Sequence, residues 1–276
     1  MSQFENYRDT SKSYDQTRTP IGIEILLGCL ASTPRPLSEH RILDAGCGTG
    51  NYIQALKGKV GDLCGLEFNE GMLAQAQEKF REDSNVCLKQ GSLLEPLKYD
   101  TNTFDGIMCN QVLHHLATES DSEDFAQIYQ LIEEAHRVLR PGGVFVINTS
   151  GHKQLYDGFW WADLIPDAVD RMAKRAPTIE FLVSALKEIG FRMGGLVVPV
   201  DAVLQGENYL DPTGPLHKSF RDGDSTWSLT TPEELERAIE RTKTMNQEGS
   251  MAMYLDSRED LRKNIGQTTF VFAYKL

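Results

Sequence analysis

Three glycines at alternate positions, followed by one acidic residue, are the part of this sequence best suited to chemistry. Gly46, Gly48 and Gly50 follow the short apolar run at 42–43, and a helical pattern resumes at Asn51. Glycine is needed where the backbone adopts a positive φ or lies directly against a ligand, because a Cβ would collide there. Free backbone amides at the helix start favour an anionic or polar ligand group. The segment therefore predicts a strand, a glycine turn and a helix that bind a polar ligand.

The acidic residue Glu67 ends the next apolar run and places a carboxylate at the end of the neighbouring strand. Ligands of open α/β sheets bind at the carboxyl ends of the strands, where a ribose diol is the natural partner of this carboxylate. A dinucleotide fingerprint requires glycine at position 51 or 53, where this chain has Asn51 and Ile53, and no GxxxxGK[ST] phosphate loop occurs. The residues therefore favour an adenosyl ligand over a dinucleotide or a nucleoside triphosphate.

The elements that must position these residues alternate between strand and helix patterns, which predicts right-handed crossovers and a parallel sheet. A capping pattern at Ser120 and Glu123 precedes one helix, and Thr231 with Pro232 begins another. Besides the strand at 42–43, strands are expected at 62–68, 86–93, 104–109, 144–148, 191–199 and 268–274, and helices at 51–56, 70–81, 125–139 and 179–189.

Four segments in this order resemble the class I S-adenosylmethionine-dependent methyltransferases. They are the strand and glycine turn at 42–50, Glu67, the stretch FDGIMCNQVLHH at 104–115 and the stretch RVLRPGGVF at 137–145. The resemblance covers residues 40–150 well and the flanks only loosely. It implies an α/β fold with a seven-stranded Rossmann-like methyltransferase sheet, mostly parallel with an antiparallel last strand, helices on both faces and lid insertions. It also implies S-adenosyl-L-methionine as the cofactor.

The resemblance further implies which residues contact the cofactor. Glu67 is expected to bind the ribose, and Asp44 to orient the loop or reach the amino group of the ligand. Ser92 stands where the family commonly has an aspartate for the adenine amino group, and a hydroxyl accepts that hydrogen bond more weakly. The expected contacts are Asp44, Gly46, Cys47, Gly48, Gly50, Glu67, Phe68, Gly91, Ser92, Leu93, Asn110 and Gln111, with Tyr14 and Arg18 from the N-terminal segment.

His114 and His115 are the candidate catalytic residues, because histidine is the side chain best suited to take a proton from an acceptor near neutral pH. Adjacent side chains point in different directions, so at most one is expected to face the acceptor. The alternative is that both belong to the scaffold. Tyr156, Trp160 and Trp161 are candidates either for acceptor contact or for packing inside a lid. No ligand spacing predicts a metal site.

We expect a single methyltransferase domain at 1–276. It comprises an N-terminal cap segment at 1–38, a cofactor-binding core at 40–150, lid insertions at 151–177 and 201–265, and a terminal strand at 266–276. In the resembling family, insertions at these places lie over the carboxyl edge of the sheet, so both segments are candidates for an acceptor lid.

The amino-acid composition limits which kinds of binding partner and which cellular compartment are expected. The chain has 40 acidic and 28 basic residues and a net charge of -12, which disfavours DNA and other phosphate-rich partners and suits a small, neutral or cationic acceptor. The five cysteines form no CxxC pair, and the N-terminus lacks a signal-peptide pattern, so a reduced cytoplasmic setting is expected. No apolar run is long enough to cross a membrane, and the oligomeric state is not predicted.

Methyl transfer to a small-molecule acceptor is therefore the predicted function. A methyltransferase that acts on a protein or RNA, and a protein that binds an S-adenosyl ligand without turnover, are the alternatives. A nicotinamide oxidoreductase would share the sheet, but its glycine fingerprint fails in this chain.

Overall fold

One sheet of seven strands organises the computed structural model, which describes residues 18–117 and 125–276. The spatial order of the strands is β3-β2-β1-β4-β5-β7-β6. The strands are β1 Arg41–Ala45, β2 Asp62–Glu67, β3 Val86–Gln90, β4 Phe104–Asn110, β5 Leu139–Thr149, β6 Phe191–Val197 and β7 Thr269–Lys275.

The pairing directions confirm the expected sheet. Strands β1 to β5 pair in parallel, and β7 lies antiparallel between β5 and β6. The chain passes outward from β1 to β2 and β3, then returns to β4 on the other side of β1. Such a reversal opens a crevice at the carboxyl ends of the two central strands. The ends of β1 and β4 are therefore the place where this fold accommodates a ligand.

Helices cover both faces of the sheet. On β4, Ile107 belongs to one buried cluster and its neighbour Met108 to another, because successive side chains of a strand point to opposite faces. The helices are α1 Ile23–Ala31, α2 Asn51–Leu56, α3 Glu70–Lys79, α4 Ala126–Val138, α5 His152–Asp157, α6 Pro166–Arg175, α7 Ile179–Ile189, α8 Lys218–Asp222, α9 Pro232–Glu248 and α10 Met251–Ile265. Helices α4 and α7 pack on the Ile107 side, and α1 and α2 on the Met108 side.

Several element boundaries differ from those expected. Strand β5 begins at Leu139 rather than 144, because a register shift opposite Phe104 and Gly106 accommodates the Pro-Gly-Gly segment within the strand. Strand β3 ends at Gln90 rather than 93. Helix α4 begins at Ala126, and its expected capping residues lie outside the described part of the chain.

The two expected lid segments share one hydrophobic core. Trp160 and Trp161 are 0% and 1% exposed within it. The Trp160 indole donates to the Tyr209 carbonyl at 2.5 Å, and the Trp161 indole donates to Gln205 Oε1 at 3.0 Å. Both tryptophans therefore pack inside the lid, which decides between their two expected roles. Tyr156 is 42% exposed.

No helix in the described ranges is both long enough and apolar enough to cross a membrane.

Candidate active site

The glycine turn after β1 has no room for a side chain at Gly46 and Gly50, but it has room for one at Gly48, the middle glycine. An added Cβ would lie 2.7 Å from Val112 at Gly46 and 2.5 Å from Phe80 at Gly50, and both glycines have positive φ. Gly48 has a φ of +56°, but a Cβ there would meet no atom of the described chain within 4 Å. Gly48 also lines a cavity. Packing thus fixes the outer glycines, whereas the middle one leaves room for a ligand.

Glu67 lies behind this turn and is 8% exposed. Its Oε2 accepts from the Gly48 amide at 2.9 Å and its Oε1 from the Asn69 amide at 2.7 Å. Burial raises the pKa of Glu67, and these backbone hydrogen bonds act in the opposite direction. The carboxylate therefore holds the turn against β2 and keeps lone pairs for a further donor.

A cavity of about 540 Å³ lies at the carboxyl ends of β1 and β4; we call it the β1–β4 cavity. The structure brings half of the expected cofactor contacts together there. Those that line it are Arg18, Asp44, Gly46, Cys47, Gly48, Asn110 and Gln111.

The other expected contacts do not line this cavity. The Ser92 hydroxyl accepts from the Leu94 amide at 3.1 Å, and Leu93 is buried in the core. Phe68 is 49% exposed. Gly50, Glu67 and Gly91 are likewise absent from the lining. Tyr14 lies outside the described residues. The roles assigned to all of these residues stay predictions.

Buried polar atoms at the β1–β4 cavity lack protein partners. Both Nδ2 and Oδ1 of Asn110, and Nε and Nη1 of Arg18, make no hydrogen bond within the described chain. Orphaned buried polar groups are costly unless a ligand or water satisfies them. Arginine donors suit a carboxylate, and amide and carboxylate oxygens suit an ammonium. The cavity therefore fits a ligand that carries an amino-acid group.

Asp44 adds an unusual carboxyl to this cavity. It is 2% exposed, and burial, with the neighbouring Glu67 charge, raises the pKa of Asp44 to about 8. The Asn110 amide is close enough to moderate this shift. The site thus holds a carboxyl that is mostly protonated at pH 7 in the ligand-free protein.

A pH-dependent difference in stability is expected between the ligand-free protein and its Asp44→Asn variant. The fold raises the pKa of Asp44 from 3.8 to about 8, so between these values the folded state retains a proton that the unfolded chain has released. The contribution of Asp44 to stability therefore falls as pH rises through this window. Asparagine does not titrate, and the variant should become relatively more stable from about pH 5 to pH 8. Paired thermal-unfolding curves check this, and a constant difference in Tm would contradict it.

Gln111 is a non-glycine residue in the left-handed region, with a φ of +54°. Its backbone amide donates to the Asn148 carbonyl at 2.8 Å, and its side-chain Nε2 donates to Thr268 Oγ1 at 2.8 Å. Such strain persists only where the surroundings over-determine it and is concentrated at functional sites. Asn148 and Thr268 hold this conformation, and the sequence motifs pointed to neither of them.

A second cavity of about 380 Å³ lies between the sheet edge and the lid; we call it the lid cavity. It shares Arg18, Gln111 and Leu204 with the β1–β4 cavity. Phe159 and Met172 supply part of an apolar wall from the lid. The two cavities are thus neighbours at the end of β4 and share these three residues in their walls.

The structure brings His114, but not His115, to the lid cavity. The two residues share a single 3-10 turn, and His114 Nε2 lies 3.3 Å from Ser225 Oγ of the lid. Burial lowers the pKa of His114 well below its ordinary value and that of His115 to about 4. Both rings are therefore neutral at pH 7, and a neutral imidazole at the cavity can accept a hydrogen bond or a proton. In the described ranges no three His, Cys, Asp or Glu side chains form a metal site.

Comparison with known proteins agrees with the resemblance found in the sequence. The family model described as a methyltransferase domain matches residues 43–147, the segment that contains the glycine turn, Glu67 and the end of β4. This segment is similar to the class I S-adenosylmethionine-dependent methyltransferases. The cofactor of these methyltransferases is S-adenosylmethionine, whose amino-acid end suits the unpartnered groups of Arg18 and Asn110.

Curated relatives of this chain match it over part of their length. A demethylmenaquinone methyltransferase of Shouchella clausii (strain KSM-K16) is 35% identical over 144 residues, which are 48% of this chain and 57% of that protein. This chain therefore spans little more than half of that relative.

Two solved structures share the fold. One is assigned as a methyltransferase of an antibiotic biosynthesis pathway in Anabaena variabilis ATCC 29413; its TM-score is 0.73 at 21% identity, over 94% of this chain and 99% of that chain. The other is geranyl diphosphate C-methyltransferase of Streptomyces coelicolor A3(2), solved with Mg²⁺, geranyl diphosphate and S-adenosyl-L-homocysteine. Its TM-score is 0.52 at 14% identity, over 92% of this chain and 78% of that chain. At these identities the likeness shows the fold alone.

Proposed function

We propose that this methyltransferase transfers the methyl group of S-adenosylmethionine to a small molecule bound in the lid cavity. The observation that carries the proposal is the junction of the two cavities at Arg18, Gln111 and Leu204. The cofactor, when bound, supplies a methyl group on a sulfonium that is activated for in-line displacement. Residues that hold two reactants in contact and in line account for a large part of the rate of such a reaction.

The residues of the chain have separate tasks in this proposal. Gly48 leaves space for the cofactor, and Glu67 holds the turn and accepts the ribose hydroxyls. The lid excludes water from the junction. His114, neutral at pH 7, accepts a hydrogen bond from the acceptor.

The lining and surroundings of the lid cavity support a small acceptor. Its lining combines apolar side chains, such as Phe159 and Met172, with a few polar groups, such as His114 and Asp224, as is usual for small-molecule sites. The net charge of -12 disfavours RNA. The relative named as a demethylmenaquinone methyltransferase also bears a small-molecule name. The family match ends at residue 147, before the lid, so the acceptor of that relative is not assigned to this chain.

A cytoplasmic location is proposed with this activity. Its support is the state of the five cysteines, all of which are free thiols as expected in a reducing compartment.

Binding and transfer measurements test the proposal. Isothermal titration with S-adenosylhomocysteine should show binding, and titration with NADH should show none. Incubation of the protein with methyl-tritiated S-adenosylmethionine and a cell extract, followed by separation by size, should place the label in the small-molecule fraction. Label in protein or RNA would support the alternative acceptors, and absence of affinity for S-adenosylhomocysteine would overturn the proposal.

A further inference from the structure

Asp224 is a buried carboxylate in the lid cavity that the family motifs do not include. It lies just after α8 and is 8% exposed. Its Oδ1 accepts from the Thr226 amide at 2.9 Å, and its backbone nitrogen donates to the Arg221 carbonyl at 3.2 Å. This local turn fixes the carboxylate independently of the rest of the lid.

The Asp224 carboxylate is incompletely satisfied. Its other described side-chain contact is Arg18 Nη2, 3.4 Å from Oδ2, which is longer than the 2.7–2.9 Å that is typical of charge-assisted hydrogen bonds. A carboxylate has about four lone-pair positions for donors. Asp224 therefore retains capacity for a donor from a molecule in the lid cavity.

Arg18 does not neutralise Asp224 completely, because it also lines the β1–β4 cavity. Its Nε and Nη1 are buried without a partner, and the proposed function directs them to the carboxylate of the cofactor. Among the described residues that line the lid cavity, Arg18 and Asp224 carry the charged groups. Once Arg18 also pairs with the carboxylate of the cofactor, Asp224 is only partly neutralised. The lid cavity then favours hydrogen-bond donors and cations and disfavours anions.

We infer that the acceptor binds through a hydrogen-bond-donating group, a hydroxyl or an ammonium, placed on Asp224. Its apolar part then lies against Leu155, Phe159 and Met172, which line the same cavity. A carboxylate in that position is rejected. This inference rests on the proposed function and specifies the chemistry of its acceptor.

Three probes of similar shape test the inference on the full chain saturated with S-adenosylhomocysteine. Benzylamine, benzyl alcohol and benzoate present an ammonium, a hydroxyl and a carboxylate on one ring, and ligand-observed NMR titration at pH 7 ranks their affinities. Benzylamine is expected to bind at least about tenfold more tightly than benzoate, the difference made by one charge-assisted hydrogen bond. Benzyl alcohol should lie between them. Equal binding, a preference for benzoate, or no binding by any probe would overturn the inference.

A pair of variants separates Asp224 from the general negative charge of the protein. Asp224→Asn keeps an acceptor for the Thr226 amide and should weaken benzylamine binding about tenfold. Asp222→Asn removes the same charge two residues away. The Asp222 carboxylate pairs with Lys218 at 2.5 Å and does not line the lid cavity, so this variant should bind benzylamine with unchanged affinity. An equal loss in both variants would show that benzylamine responds to surface charge and would refute the role of Asp224. Titration with S-adenosylhomocysteine comes first: its failure refutes the proposed function, whereas intact binding with the wrong probe order refutes only this inference.

Discussion

A Gly48→Ala protein should fold and lose at least about a hundredfold in affinity for S-adenosylhomocysteine. The added Cβ meets no atom of the described chain within 4 Å, so the fold has room for it. However, Gly48 lines the β1–β4 cavity, and the new methyl group occupies space that the cofactor needs. A side chain at a φ of +56° costs about 1–2 kcal/mol of stability, which a domain of this size tolerates.

Gly58→Ala is the matched control for that variant. Gly58 has a φ of +77°, and a Cβ there also meets no atom of residues 18–117 and 125–276 within 4 Å, but Gly58 lines neither of the two cavities. Both variants should show a similar drop in Tm, and only Gly48→Ala should lose binding in an isothermal titration. Normal binding by Gly48→Ala, or an equal loss in Gly58→Ala, would contradict the assignment of Gly48 to the ligand side of the turn.

The sheet was predictable because its signals are local. Apolar runs separated by helical periodicities predicted the alternating strands and helices of a parallel α/β sheet, and the resemblance implied the antiparallel last strand. The glycine turn was predictable for the same reason. Which glycine faces the ligand was not, because that depends on Val112 and Phe80, which reach the turn from distant parts of the chain.

The lid side of the site could not be predicted from the sequence, because it is formed by contacts between residues that are far apart in the chain. Arg18 and Asp224 are 206 positions apart, and His114 meets Ser225 across 111 positions. The strain at Gln111 likewise follows from Thr268, 157 positions away. Sequence spacing gave the histidine pair and the rule that at most one of them faces the acceptor. The packing of the lid places His114, and not His115, at the lid cavity; the catalytic role stays a prediction.

Loss of the Glu67 side chain should weaken S-adenosylhomocysteine binding by roughly ten- to a hundredfold, from a lost charge-assisted hydrogen bond of about 1.5–3 kcal/mol. In Glu67→Ala the amides of Gly48 and Asn69 also lose their acceptor, so both stability and affinity should fall. Glu67→Gln keeps one carbonyl oxygen and should preserve more stability than affinity.

Asp62→Asn, at the exposed opposite end of β2, is the control and should bind S-adenosylhomocysteine normally. Isothermal titration with Tm measured in parallel separates the two effects. Unchanged affinity in Glu67→Gln would limit Glu67 to holding the turn, and its role toward the ribose would be wrong.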